Sequence, residues 1–266
     1  HGPTPSRDAF QRAKAAALTG IKLDTSLAQA HSALASYKLY YERDWRGAEQ
    51  AFKKANRLNP NLPWNRYHYA WYLNLIGREE QAIEQHVLAH ELDPLNPYIN
   101  GWLAWLYAHY GHYDRAKEEA EKTLMLDNNH PVGLHALGRM FIGQKEYDEA
   151  VSTLERASEA SPSKRGVLGY ALALAGRTNE AFYLLNELKQ EERNSFNALQ
   201  IASIYAGLGD TQKAMQWLLY EPPHGVAPWA SRMIRFDTLR SHPQYDRFLK
   251  RFNLYDLPKT NTLSTD

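Results

Sequence analysis

Small apolar residues return along this chain at near-constant intervals. Ala48, Ala82, Ala116, Ala150, Ala181 and Ala214 are separated by 34, 34, 34, 31 and 33 positions. Each closes a short frame that is mostly polar, as in Asp44-Trp-Arg-Gly-Ala48, His112-Tyr-Asp-Arg-Ala116 and Asp210-Thr-Gln-Lys-Ala214. Gly77, Gly111, Gly176 and Gly209 stand just before four of these frames. A second apolar stretch follows each frame, often closed by proline, as in Leu58-Asn-Pro60, Leu92-Asp-Pro94 and Ala160-Ser-Pro162. Glycine tolerates the left-handed turn that ends a helix, and proline cannot continue one. The pattern therefore predicts helix–turn–helix units. The alanines let the two helices approach closely, and Leu, Phe and Tyr three or four positions away fill the seam. One such unit cannot bury its own apolar face, so neighbours must stack.

The period slips in places. The first repeat has one extra residue near Tyr40-Tyr41, the third ends in Asn128-Asn129 where proline is usual, and the fifth is short by three. Ala13 precedes Ala48 by 35 positions, so the chain opens in the phase of a second helix. At the far end, 221–228 breaks the array with three prolines. Beyond it, Ser241 and Pro243 start a short helix whose Tyr245, Phe248, Leu249 and Phe252 share one face. That face is expected to cover the sixth repeat.

Leu103-Ala104, Tyr107, Gly111, Tyr113, Ala116 and Leu126-Asp127 carry a resemblance to the tetratricopeptide repeat, as do Leu137-Gly138, Phe141, Tyr147, Ala150, Leu154, Ala157 and Pro162. The resemblance implies an all-α fold: a right-handed tetratricopeptide superhelix of about six repeats with helical caps. It divides the chain into a linker or tag remnant (1–8), an N-terminal half-repeat helix (9–24), six repeats (25–221), a C-terminal helical cap (222–255) and a loose tail (256–266). The segment from Phe236-Asp-Thr-Leu-Arg240 to Leu254, with Tyr40-Tyr41-Glu-Arg-Asp-Trp45 near the start, is similar to the C-terminal repeat region of multidomain bacterial signalling proteins. There the array follows a winged-helix, class III cyclase or Ser/Thr kinase domain. A neighbouring effector domain in the same protein is thus an expected partner.

In this repeat family the first helix of each unit lines a concave groove. Its outward positions read Trp64, Tyr67, Trp71 and Asn74, then Tyr98 and Trp105 with His109 beside them, then His135 and Arg139, then Tyr170. Trp and Tyr combine large contact area with a polar tip, which suits a peptide or helix laid along a groove. Trp71 and Trp105 are the residues expected to be most exposed. The carboxylate clamp of chaperone-binding members does not match, since the successive ninth positions are Ser36, Trp71, Trp105, Arg139, Tyr170 and Ser203. A small-ligand sensory site and a homodimer are the alternative readings.

Composition narrows the chemistry. The 266 residues include no cysteine, which excludes disulfides, thiolate metal sites and a cysteine nucleophile. Lys and Arg number 31 against 30 Asp and Glu, so no global charge draws the chain to nucleic acid. No apolar stretch approaches the roughly 20 residues a membrane helix needs. Neither a hydrolase elbow, a phosphate loop nor a zinc-protease helix is present, so no enzyme activity and no cofactor are expected. His86 and His90 sit one turn apart, but His86 falls on a seam and no third ligand completes a metal site. Six Arg and Lys between Ser231 and Arg251 face only Asp237 and Asp246, and are expected to form a solvated outer face. A cytoplasmic location is favoured, and a periplasmic one follows if a membrane helix precedes the chain.

Overall fold

The computed structural model describes residues 7–191, 194–220 and 227–257. Among them there is helix, turn and loop but no strand. The helices are α1 (Arg7–Leu23), α2 (Ala28–Tyr37), α3 (Trp45–Leu58), α4 (Pro63–Leu75), α5 (Glu79–Leu92), α6 (Pro97–His109) and α7 (Tyr113–Leu126). They continue as α8 (Pro131–Gln144), α9 (Tyr147–Ala160), α10 (Arg165–Leu174), α11 (Thr178–Gln190), α12 (Ser195–Gly207), α13 (Thr211–Tyr220) and α14 (Tyr245–Arg251). They form two compact units. One is Asp93–Phe248; the other takes the described residues up to Leu92 and those from Leu249 on.

Within each unit, successive helices pack in pairs: α2 on α3 and α4 on α5 in one, α6 on α7, α8 on α9, α10 on α11 and α12 on α13 in the other. The six phased alanines have no exposed surface. First helices need equal smallness where they meet a neighbour. A Cβ at Gly138 would collide with the Leu154 side chain, and one at Gly166 with the backbone of Gln200. Pro63, Pro97 and Pro131 open α4, α6 and α8, where the missing N–H costs nothing.

Each pair turns on one residue in the left-handed region. Gly77, Gly111, Gly176 and Gly209 have φ near +80°. The first and fourth repeats lack glycine there and use Arg43 (φ 58°) and Lys145 (φ 65°) instead. The following N–H reaches back five residues in the regular turns, as from His112 to the Tyr107 carbonyl at 2.9 Å and from Glu146 to that of Phe141 at 2.9 Å. In the first repeat it reaches back six, from Asp44 to Lys38, because Lys38–Glu42 forms one π-helical turn. The extra residue at Tyr40-Tyr41 is absorbed as a widened turn. The three residues missing from the fifth repeat come out of α10, which has 10 residues where α4 and α6 have 13.

The C-terminal segment departs from expectation. Residues 227–241 form two short 3-10 stretches that pack on α12 and α13. Phe252 instead lies under the Arg43 guanidinium at 4.4 Å, and Trp45 Nε1 donates to the Asn253 carbonyl at 2.7 Å. Phe252, expected on the face that covers the sixth repeat, is thus held at the turn of the first. The left-handed turn brings Arg43 to an aromatic face, and the buried Trp45 indole needs an acceptor. The expected linker falls almost wholly outside the described residues, as does most of the expected tail.

Lys145 is exposed and carries the left-handed turn without glycine. Lys145→Gly should therefore raise stability by about 1 kcal/mol, and Gly111→Ala should lower it by about the same. A Cβ at Gly111 meets open space, so the backbone alone sets the cost there. Urea midpoints of both variants measure it, and equal shifts of the same sign would contradict the turn assignment.

Candidate functional site

The ten residues expected to line a groove separate into two sets, one in each unit. Trp64, Tyr67, Trp71 and Asn74 lie on α4. Spacings of three and four place them on one helical face, with His68 alongside. Trp64 is 45% exposed and meets Tyr67 edge-on at 5.4 Å. Tyr67 is buried against His86 of α5 at 5.3 Å and contacts Trp71 at 6.3 Å. Trp71 is half-buried and Asn74 is buried. His68 Nδ1 lies 3.1 Å from the Tyr40 hydroxyl, and burial lowers its pKa to about 4. An outward band at Tyr67 and Asn74 is therefore corrected. Tyr67 turns into the pair because the neighbouring helix offers it the edge of His86.

The second set belongs to α6, α8 and α10. Tyr98 and Tyr170 are half-buried, whereas Trp105, His109, His135 and Arg139 are buried. Trp105 keeps only 2% of its surface, which overturns the expectation that it is among the most exposed. Its neighbours explain why. His109, one turn on, stacks on it at 5.1 Å and 17°, and the Arg139 guanidinium stands over it at 4.8 Å. His135 and Trp102 complete the layer, with Trp102 edge-on to Trp105 at 5.6 Å and to His135 at 6.1 Å.

Sequence reasoning passed over three members of this cluster. Trp102 occupies a seam position, yet the Lys164 ammonium stands over its ring at 5.1 Å. Lys164 sits in the 3-10 turn Pro162–Lys164 that introduces the shortened α10, and is only 5% exposed. Arg235 comes from the C-terminal segment and acts electrostatically on Arg139, Lys164, His135 and Tyr170. The solvated basic face expected over 231–251 is thus corrected for Arg235 and for the neighbouring Arg232, which acts on His109. Packing of 227–241 on α12 carries both inward. The signal available in the sequence was charge: six cations against two carboxylates, with a large apolar residue beside each of Arg232 and Arg235.

Burial and mutual repulsion work in one direction here. Burial, and then the charge of Arg235, pushes Lys164 down to about 8 and Arg139 to about 9. Burial followed by the Arg139 charge takes His109 down to about 2, and burial with Lys164 holds His135 well below its usual range. His109 therefore accepts, through Nδ1, a 2.7 Å hydrogen bond from Arg139 Nη2. The cluster is cationic, with neutral imidazoles inside it, and offers donors.

Comparison with known proteins places the fold. Residues 133–164, which take in most of α8 and all of α9, match the family model of the tetratricopeptide repeat. A curated bovine protein (Bos taurus), the BBSome complex member BBS4, is 27% identical over 168 residues, which are 62% of this chain and 32% of that protein. The chain thus spans about a third of the length of the curated relative it matches. The crystal structure of the APC/C hetero-tetramer Cut9-Hcn1 superposes with a TM-score of 0.63 at 16% identity, over 91% of this chain and 46% of that one. A tetratricopeptide repeat protein from Parabacteroides merdae superposes with a TM-score of 0.63 at 10% identity, over 93% of each chain. The all-α helix-pair fold is that of tetratricopeptide arrays.

The neutral histidines link stability to pH. Unfolded, each titrates near 6.5, while folded His109 stays neutral to about 2 and His68 to about 4. Below pH 6.5 the unfolded chain binds more protons, so stability falls as pH falls, by up to about 1.4 kcal/mol per unit for each buried histidine. Thermal midpoints should drop between pH 6.5 and 5, less steeply in a variant carrying His109→Gln and His135→Gln. An unchanged slope in that variant would mean that neither ring is held neutral.

Proposed function

We propose that this chain is a non-catalytic tetratricopeptide scaffold that binds a protein or peptide partner on the first-helix face of α4. The observation that carries the reading is Trp64, a large indole left 45% exposed on a layer of Tyr67, His68 and Trp71 that is already ordered. An exposed aromatic on a rigid base gives contact area at little entropic cost, which is how recognition hot spots are built. Two of the similar proteins are named as parts of multiprotein assemblies, the BBSome complex and the APC/C hetero-tetramer, and this agrees with a partner-binding role.

The partner is read as an extended peptide or a helix, contacted through several repeats. A regulatory role in a bacterial signalling protein, with an effector domain in the same chain, rests on the resemblance of Phe236 to Leu254 and of the Tyr40–Trp45 segment. A small-ligand sensory role is the second reading, favoured by the buried basic cluster around Arg139 and Lys164.

A displayed peptide library selected on the intact chain tests the scaffold. Selected peptides should lose at least tenfold in affinity for a Trp64→Ala, Trp71→Ala variant whose helical circular dichroism is unchanged. Equal affinity for that variant would rule out the α4 face.

A further inference from the structure

Three cations of the Asp93–Phe248 unit, Arg139, Lys164 and Arg235, have no carboxylate bound to them among the described residues. Arg139 is 7% exposed, and its only hydrogen bond among the described residues goes to a neutral imidazole. Its Nε has no partner there. Lys164 has an aromatic face and, among the described residues, no hydrogen bond or ion pair from its ammonium. The Nε of Arg235 is buried and likewise unpartnered, as are both ring nitrogens of His135, which is 8% exposed. A carboxylate that acts on Arg139, Asp237, is half exposed and already bound to Arg240 at 2.8 Å. Buried charge is ordinarily paired, and a buried polar atom ordinarily hydrogen-bonded. Arg139 stands at Trp105, Lys164 at Trp102, and His135 meets both rings, so buried cations and an unsatisfied imidazole gather about one indole pair, with Arg235 acting on them, and break both rules together.

We infer that Arg139, Lys164, Arg235 and His135 form a binding site for a phosphate group, taken as free phosphate or as a phosphate monoester. The donors match a tetrahedral dianion. Two guanidinium groups supply N–H groups through Nε, Lys164 supplies a point charge, and His135 donates from whichever ring nitrogen carries its proton. Two negative charges offset most of the three positive ones, which a monocarboxylate cannot do. A nucleobase gains no stacking surface, because Trp102 and Trp105 keep only 7% and 2% of theirs. The site therefore reads the phosphate and not what bears it. Its residues come from α8, the turn before α10 and the C-terminal segment, so occupancy would pin that segment to the repeats. The site lies wholly within the Asp93–Phe248 unit and does not depend on the α4 face.

Isothermal titration of the intact chain at constant ionic strength tests the inference, with inorganic phosphate in one arm and glycerol phosphate in the other. Saturable binding with a submillimolar Kd is expected in at least one arm. Tighter binding of the first identifies free phosphate as the ligand form, and tighter binding of the second identifies the ester. Lys164→Met should weaken binding at least tenfold, while Lys213→Gln, far out on the exposed start of α13, should leave it unchanged. A second readout separates ligand binding from structure. Without ligand, Lys164→Met should raise the thermal midpoint, because it removes an unpaired cation and keeps an apolar chain on Trp102. With phosphate, the wild-type midpoint should rise and that of the variant should not. No saturable binding in either arm would overturn the proposal, as would a Lys164→Met variant that binds equally well or melts lower without ligand.

Discussion

The structure depends on how closely paired helices approach at six alanines. Each has no exposed surface, and each stands one turn inside a second helix. With the backbones that close, the larger residues around them, such as Phe52, Leu154, Leu185 and Leu218, are fully or almost fully enclosed. The seam is then sufficient to hold each pair. The outer face of a first helix is released from core duty and can carry residues that no core would choose.

The two units use this freedom differently. On α4 the released face carries aromatics that pack among themselves and leave Trp64 outside. Around α6, α8 and α10 it carries His109, His135, Arg139 and Lys164 beside Trp102 and Trp105, and residues 227–241 add Arg232 and Arg235, while their carboxylate, Asp237, is bound to Arg240. The rings lower the cost of these charges, since guanidinium and ammonium groups rest on indole faces at about 5 Å. They do not satisfy the remaining N–H groups. An interior arranged in this way keeps buried N–H groups without a partner among the described residues.

Much of the fold could be read from the sequence because it rests on local spacing. The phase of the alanines gave the pairs, the glycines gave four turns, and the extra residue near Tyr40 appeared as a π turn at Lys38–Glu42. The left-handed Arg43 and Lys145 were hidden, since neither residue type announces that conformation. The candidate site was legible only in part. Helical spacing puts Trp64 with Trp71 and His135 with Arg139 on one face each, but spacing says which residues share a face and not what covers it. Trp105 is covered by His109 and Arg139, and Arg235 arrives from about a hundred residues away on a segment with no repeat phase. Contacts of that range leave no periodic trace.

The central claim is that the released face of α6 and α8 encloses a cationic cluster in which the imidazoles remain neutral. Nuclear magnetic resonance of the His109 and His135 rings across pH tests it directly in the ligand-free chain. Neither ring should titrate between pH 8 and 5.5, while an exposed histidine in the same sample does. A midpoint near 6.5 for either ring would show that the site is open to water and its charges solvated, and would contradict the account.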